Sequence, residues 1–512
     1  MKKNTALGVV VSAFLLISGA TLAAGPTDPG VRGGPPGAGQ FLPNIQINEK
    51  ALFLEGQFRA TEFEATCETC SEIVPGTPNG QDPLLQTITN SAGLGARFNG
   101  DQCTICHSQP ALGGSGGFLV PNPQDPVVQH RLPENPMFDL IPHRKGQTNV
   151  TPSFIKQYGP IREARFIQKP DGSPDGGVHQ LFTVVGRTDD PSIAATCNNA
   201  VLPQPDFERQ IANKNVIFRI PLQLFGLGLI ESIQDKEIRA RQAATAVFRA
   251  ANGIRGEANI NGNDGTIGRF GWKAQNKSLT VFAGEAYNVE MGVTNELFPQ
   301  ATAEVPECNG SLKPHPNDVT RTGINDSTND GFNNPLHIMA DWMQFSLFMR
   351  FLDAPQPAPL SASAQKGQAL FGTGPSSLGI GCAACHTPQM QTAATMQTAT
   401  LENKPVNLFS DLLVHNMGYK LADNITQGTA KGDMFRTTPL WGVGKRLFFM
   451  HDGRTNNLLE AIQAHASPAG CNEMVGCPSG GYPASEANKV VSRFNALSTL
   501  DKQSILDFLR SL

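Results

Sequence analysis

The chain has few aromatic residues apart from phenylalanine, no excess of basic charge, and no long apolar run after its first 24 residues. A net charge of -4 at pH 7 gives no basic surface of the kind that nucleic-acid-binding proteins require, so no nucleic-acid partner is expected. Its 512 residues include 4 Tyr and 3 Trp against 52 Gly and 38 Pro, a balance that predicts much loop. Without a later apolar run, no second membrane span is predicted.

The first 24 residues have the pattern of a secretory signal peptide. Two lysines precede an apolar run that ends in small residues near Ala23 and Ala24. An uncleaved anchor is the alternative because the run is about long enough to span a bilayer, but Ser12 and Ser18 weaken it as a permanent span. We therefore predict cleavage, export to the periplasm and no stable membrane insertion. The Pro/Gly-rich residues 25–40 predict a disordered lead-in.

Two copies of one short cysteine motif organise the chain. The pattern Cys-x-x-Cys-His occupies residues 103–107 and again 382–386. In it, both thiols bond to a haem and the histidine ligates the iron. Disulfides with bystander histidines, or a four-cysteine zinc site, are the alternatives, but paired zinc motifs usually lie about 15–20 residues apart. We predict two covalent haems held by the following residues: Cys103, Cys106 and His107, and Cys382, Cys385 and His386.

Six further cysteines fit an oxidising compartment. Cys471 and Cys477 flank a short loop, so of these six cysteines they are the pair most expected to form a disulfide. Cys67 and Cys70 form a Cys-x-x-Cys without a following histidine, and either a tight disulfide or a redox-active pair fits it. The sequence leaves the pairing of four cysteines open, namely Cys67, Cys70, Cys197 and Cys308.

An acidic residue falls on the apolar face of a predicted helix. Ser278 is a good N-cap, and the apolar residues that follow from Leu279 recur at helical spacing. Glu290 lies about three turns after Leu279, on the same face. A carboxyl group aimed inward needs a partner or a function, although a frayed helix end is an equal alternative from the pattern alone.

The sequence from about Phe41 onwards resembles the di-haem c-type oxidoreductases of the bacterial cytochrome c peroxidase/MauG superfamily, in particular its peroxidase and thiol oxidoreductase branch. The resemblance is carried by residues 93–99, 268–299 and 412–465. It implies a mainly α fold with two cytochrome c-like haem domains and irregular insertions in the first. We expect the first domain over 41–353 with an insertion over about 120–265, a linker over 354–360, and the second domain over 361–512.

The resemblance also assigns roles in the first domain. Residues 288–292 are similar to a family segment whose glutamate stands over the open face of the first haem, which makes Glu290 the expected proton carrier. Trp272 matches a tryptophan between the haems, although a core tryptophan remains the alternative. Thr280 replaces a family glutamine. Position 123 is Pro where some relatives have an iron-blocking histidine, so an open first haem is expected, with His130 the nearest histidine.

In the second domain the resemblance points to His465, because the family places an iron ligand fourteen residues after the histidine at position 451. Met450 is the reserve ligand. Two imidazoles would make this haem a closed, low-potential centre for electron transfer. Calcium is possible but is not predicted, since Arg446 and Phe448 stand where relatives have calcium-site residues.

The expected function is therefore that of a periplasmic di-haem oxidoreductase. It would reduce hydrogen peroxide, or another small oxidant, with electrons from an external donor such as a small cytochrome or a cupredoxin. A rubber-oxygenase-like enzyme is one alternative, although such enzymes have an apolar residue where Glu290 stands. A non-catalytic di-haem electron-transfer cytochrome is the other, and it requires both irons to be six-coordinate.

Overall fold

The computed structural model describes residues 25–62, 64–65, 91–92, 94–95, 97–117, 134–139, 149–183, 203–299, 339–396, 398–472 and 475–512. The predicted signal peptide at 1–24 lies outside the described residues. The same is true of Pro123 and His130, on which the expectation of an open first haem was based, and of the four cysteines whose pairing the sequence left open.

The fold is rich in helices and has several small sheets. The helices are α1 Ile47–Thr61, α2 Pro136–Asp139, α3 Phe207–Ala212, α4 Leu227–Glu231, α5 Asp235–Ala244, α6 Ala246–Asn252, α7 Leu279–Met291, α8 Asp341–Phe351, α9 Ala362–Phe371, α10 Leu458–Ala464, α11 Asn488–Ala496 and α12 Thr499–Ser511. The strands are β1 Glu64–Ala65, β2 Ser91–Ala92, β3 Arg97–Phe98, β4 Glu163–Phe166, β5 Val178–His179, β6 Phe182–Thr183, β7 Val216–Arg219, β8 Met390–Gln391, β9 Pro405–Val406, β10 Val414–Asn416 and β11 Met434–Arg436. None of the described helices combines the length and hydrophobicity of a membrane span.

The larger hydrophobic core forms where α1, α7 and α8 pack together. Helix α1 crosses α8 closely at Gly56, where a Cβ atom would collide with the backbone carbonyl of Gln344. Helix α7 packs on α8 through Tyr287 and Phe345, whose ring centroids are 6.0 Å apart. The first Cys-x-x-Cys-His turn lies against this core.

A second core forms around α9, α10, α11 and α12. Helix α9 begins after Ser361, whose side chain accepts a hydrogen bond from the Ala364 amide. It crosses α12 at Gly367, which leaves no room for a Cβ atom beside the Ser504 carbonyl. Both Cys-x-x-Cys-His turns thus lie beside a helix pair that crosses at a glycine.

A three-stranded antiparallel sheet in the order β5-β4-β7 comes from the region expected to be an insertion. In β4, Ala164 and Phe166 are buried, and the alternation sends Glu163 and Arg165 to the opposite face. Glu163 pairs in register with Arg219 of β7. The sheet therefore presents a row of charged side chains on one face.

Residues 25–40, expected to be a disordered lead-in, make specific contacts in the structure. Asp28 accepts two hydrogen bonds, both of 2.7 Å, from the Arg510 guanidinium. Lys445 donates to the carbonyls of Gly33 and Gly34 at 2.8 and 2.7 Å. The Pro/Gly-rich composition of this segment predicts no regular local hydrogen bonds. Its hydrogen-bond partners are instead the distant residues Arg510 and Lys445.

The disulfide predicted between Cys471 and Cys477 is confirmed. It closes the loop that follows α10.

Candidate functional site

The two Cys-x-x-Cys-His motifs line two cavities. The first has about 1210 Å³ of space not filled by protein, and the second about 1560 Å³, each partly open to solvent. Most of the surface that lines each cavity is apolar, as is typical of cofactor sites, and this lining suits a haem. Cys103, Cys106, Cys382 and Cys385 are free of disulfides, and the two pairs occupy different cavities. This arrangement contradicts the disulfide and four-cysteine zinc alternatives.

The proximal histidines are oriented in the same way in both cavities. Nδ1 of His107 donates to the carbonyl of Gly114 at 3.0 Å, and Nδ1 of His386 donates to the carbonyl of Phe409 at 3.1 Å. Since a carbonyl can only accept, Nδ1 carries the proton in both rings and Nε2 remains free to bind a metal. Burial lowers the pKa of both imidazoles, that of His386 to about 4, so both are neutral at pH 7.

The second cavity contains an opposed pair of imidazoles. His465 directly follows α10, as the face pattern of that helix predicted, and its Nδ1 donates to the Ala461 carbonyl at 2.7 Å. The ring centroids of His386 and His465 lie 6.4 Å apart. Two imidazoles on opposite sides of one metal would have centroids about 6.4 Å apart, given metal–nitrogen bonds of about 2.0–2.1 Å. The geometry therefore fits a bis-histidine haem.

Two arginines in the second cavity lack the anion they need. Nη1 of Arg436 and Nη2 of Arg446 are buried and have no hydrogen-bond partner among the described atoms. Burial lowers the pKa of both guanidinium groups to about 10, and their mutual repulsion adds to this for Arg436. A buried cation normally needs a paired anion. The propionate groups of a haem would supply these anions. Arg436 and Arg446 are therefore candidate propionate-binding residues, and sequence reasoning missed them.

Trp272 lines both cavities, the position that the resemblance implied. Its indole nitrogen donates to the Ile220 carbonyl at 2.9 Å, which fixes the ring plane. Arg446 lies 5.8 Å above the ring, and His451 meets it edge to face at 6.3 Å. The electron-transfer role of Trp272 stays a prediction.

Met450 and His451 also line the second cavity. His451 stacks on Phe435 with ring centroids 4.3 Å apart, and burial lowers its pKa to about 4. Neither residue is placed opposite His386 by an observed contact, whereas His465 is.

The first cavity has a different lining. His107 is the only imidazole among the described residues around it. Glu290, in the last turn of α7, lines it as the helix pattern predicted, and Ser278 caps that helix as expected. Asn99 donates to a Glu290 carboxylate oxygen at 2.7 Å. The amide orientation is fixed because Asn99 Oδ1 accepts from the Leu181 amide at 2.9 Å.

A second carboxyl group faces Glu290. Glu163 of β4 lines the same cavity and interacts with Glu290, while Arg165 donates to Glu163 at 2.6 Å. Burial and then the charge of Glu163 raise the pKa of Glu290 to about 8. Against the effect of burial, Arg165 and then Arg219 lower the pKa of Glu163. Sequence reasoning missed Glu163 because it lies in the aperiodic insertion.

A buried histidine that sequence analysis did not consider as a site residue lies beside the second cavity. His415 of β10 contacts Asp411 at 3.0 Å and Glu486 at 2.7 Å through its two ring nitrogens. Burial opposes its charge, but the neighbouring Cys385 and Asp411 raise the pKa of His415 well above the ordinary value. Cys385, Asp411 and His415 together resemble a metal site, with ligand atoms within 4.8 Å of one another. With both His415 nitrogens engaged by carboxylates, these residues do not fit a metal ion.

Two cavities, each lined by a Cys-x-x-Cys-His turn with a neutral, oriented histidine, provide the residues that two haems require. The family model described as "Di-haem oxidoreductase, putative peroxidase" matches residues 172–476. Because this is more than half of the chain, the chain belongs to that di-haem oxidoreductase family.

Solved structures show partial similarity. They include a MauG-like protein associated with microbial copper homeostasis (20% identity, 34% of this chain and 53% of that chain, TM-score 0.23). The diheme peroxidase BthA from Burkholderia thailandensis E264 is similar at 15% identity over 48% of this chain and 65% of that chain (TM-score 0.28). Kuenenia stuttgartiensis hydrazine synthase is similar at 16% identity over 35% of this chain and 56% of that chain (TM-score 0.19). The matches span about half to two thirds of those chains. No curated protein matches.

Proposed function

We propose that this protein is a periplasmic di-haem c-type oxidoreductase that reduces hydrogen peroxide in the first cavity. Electrons enter through the second cavity from a small cytochrome or cupredoxin. The observation that carries the proposal is the difference between the two linings. An opposed imidazole pair occupies the second cavity, whereas one imidazole and three carboxyl groups, Glu290 and Glu163 among them, line the described part of the first.

Each haem is assigned to its own cytochrome c-like domain, over 41–353 and 361–512. In support, each Cys-x-x-Cys-His turn lies beside a helix pair that crosses at a glycine, α1 with α8 and α9 with α12. Cys103 and Cys106 would hold the first haem covalently, and His107 would ligate its iron. Cys382 and Cys385 would hold the second, and His386 and His465 would be its iron ligands.

In the first cavity the protein supplies proton transfer. A bound haem would provide an open coordination position and the electrons for peroxide reduction. Glu290 donates a proton to the peroxide oxygen that leaves as water. Asn99 holds the Glu290 carboxyl group in one orientation.

In the second cavity the protein blocks substrate binding and provides a route for electrons. Two imidazoles leave no position for a substrate, which suits electron transfer. Arg436 and Arg446 hold the propionates, and Trp272 lies between the two cavities.

The test is spectroscopy on the purified holoprotein. We expect two covalent haems per chain by the pyridine haemochrome assay, one low-spin bis-histidine signal in electron paramagnetic resonance, and carbon monoxide binding to one reduced haem. The fully reduced protein should be reoxidised by hydrogen peroxide, one molecule removing two electrons. Fewer than two covalent haems, or two irons that both refuse carbon monoxide, would contradict the proposal.

A further inference from the structure

The pair formed by Glu163 and Glu290 is the feature of the first cavity that neither the sequence nor the family assignment explains. The two residues come from different elements, β4 and α7, and approach each other across the cavity beside His107. Both carboxyl groups are buried and interact with each other. Two ionised carboxylates in one desolvated site repel each other, so the pair favours holding one proton.

The neighbouring charges decide where that proton resides. Arg165 donates to Glu163 at 2.6 Å, and Arg219 lies opposite Glu163 in the adjacent strand. Glu290 receives a hydrogen bond from the neutral amide of Asn99, and no cationic side chain among the described residues donates to it directly. It also lies in the last turn of α7, where the helix dipole disfavours a negative charge. These contacts favour ionised Glu163 and protonated Glu290.

Other titratable groups around the cavity do not reverse this assignment. On α7 itself, Glu285 is engaged by the Asn276 amide. Arg162 precedes β4 and donates to the Asp452 carbonyl at 2.9 Å. The remaining titratable residues that line the cavity are His107, which is neutral, Tyr287, and Cys103 and Cys106, which lose their thiol protons to haem attachment.

We propose that Glu163 is a positioning residue that keeps Glu290 protonated at neutral pH, so that Glu290 faces the bound oxidant as a hydrogen-bond donor. The assignment builds on the proposed function and adds a second acid to it. Glu163 acts through Glu290, with Arg165 fixing its charge. The site therefore suits small ligands that carry negative charge when bound and need a proton from the protein.

The test uses fluoride as the probe and the pH as the variable. Fluoride bound to an open ferric haem is an anion, and a protonated carboxyl group beside it stabilises it. In the wild-type holoprotein, fluoride affinity should be constant at neutral pH and fall once Glu290 ionises, near pH 8. In Glu163→Gln, loss of the neighbouring charge lowers the pKa of Glu290. The midpoint should move down by more than one pH unit, and affinity at pH 7 should fall about twofold or more.

Glu285→Gln is the matched control, since it removes another carboxyl group from the same cavity lining, one that accepts a hydrogen bond from Asn276. Its midpoint should stay near that of the wild type. An unchanged midpoint in Glu163→Gln, with binding intact, would overturn the role of Glu163 and leave the proposed function standing.

Failure of fluoride to bind at all would instead overturn the open first haem. In that case infrared difference spectra decide the inference independently. The wild type should show the carbonyl stretch of a protonated carboxylic acid at pH 7 that Glu290→Gln removes and Glu163→Gln weakens. Absence of that band in the wild type would overturn the proposal.

Discussion

The two cavities are built alike on their proximal sides and differently opposite them. In each, a Cys-x-x-Cys-His turn presents a histidine whose Nδ1 is held by a backbone carbonyl. Opposite His386 stands a second imidazole, whereas the first cavity offers Glu290 and Glu163. In the proposed function one attachment motif therefore serves two purposes, and the wall opposite the histidine decides whether a bound haem reacts or only transfers electrons.

The largest expected effect comes from removing the acid of the first cavity. Glu290→Gln keeps the size of the side chain and an acceptor for Asn99, but it removes the proton carrier. Peroxide-dependent turnover should fall by about 10²- to 10⁴-fold. The haem content and the low-spin signal of the second haem should not change, which separates loss of chemistry from misfolding. Turnover within a few-fold of wild type would remove Glu290 from the mechanism.

The next effect concerns the closed cavity. His465→Met should convert the second haem from two imidazoles to His/Met ligation and raise its reduction potential. We expect a rise on the order of 0.1 V, within the roughly 0.8 V range that axial ligands span. Potentiometric titration measures it, with Met450→Leu as the control that leaves the potential near wild type. If Met450→Leu produces the ligand change instead, the assignment of His465 is wrong.

A smaller effect is expected from the buried ion cluster beside the second cavity. His415→Gln leaves Asp411 and Glu486 without the imidazolium between them, and breaking a buried pair costs about 3–5 kcal/mol. His179→Gln removes a less buried pair with Asp175 and should cost about 1 kcal/mol or less. Thermal unfolding of both variants measures the difference, and equal losses would contradict a charged His415.

The pH dependence of this cluster follows from its pKa shifts. The pKa of His415 is raised in the folded protein, so its contribution is complete below about pH 6.5 and is lost only above its folded pKa. The pKa values of its two carboxylate partners, Asp411 and Glu486, are shifted in the opposite direction. Hydrogen bonds and charge from His415 lower the pKa of Asp411 and Glu486 to about 2 against the effect of burial, so their contribution fades as pH falls from about 4 to about 2.

The smallest expected effect is at the tryptophan that the cavities share. Trp272→Phe removes the hydrogen bond to Ile220 and should cost about 1 kcal/mol of stability, and it should slow electron transfer between the haems. Trp342→Phe is the matched control. Trp342 lies in α8, away from both cavities, and its substitution removes a similar 3.0 Å hydrogen bond to Glu296. Flash photolysis of the mixed-valence protein compares the two rates. Equal rates would assign Trp272 a structural role alone.

Sequence reasoning succeeded where a feature is local. The helix capped by Ser278, the inward face that carries Glu290, and the Cys471–Cys477 disulfide all follow from spacing within about a dozen residues. It failed where partners are distant. Glu163 meets Glu290 across 127 positions of chain, and no periodicity in the insertion marks it. The lead-in at 25–40 is held by Arg510 and Lys445, which its composition could not indicate.

By itself the sequence determined the expected haem attachment points, because two thiols and a histidine must lie within one turn to bond one cofactor. It also determined the helix that presents Glu290, since helical spacing is a local property. Tertiary structure alone decided what faces each proximal histidine. The register of β4 with β7, and the approach of that sheet to α7, bring Glu163, Arg165 and Glu290 together, and burial then fixes their charges.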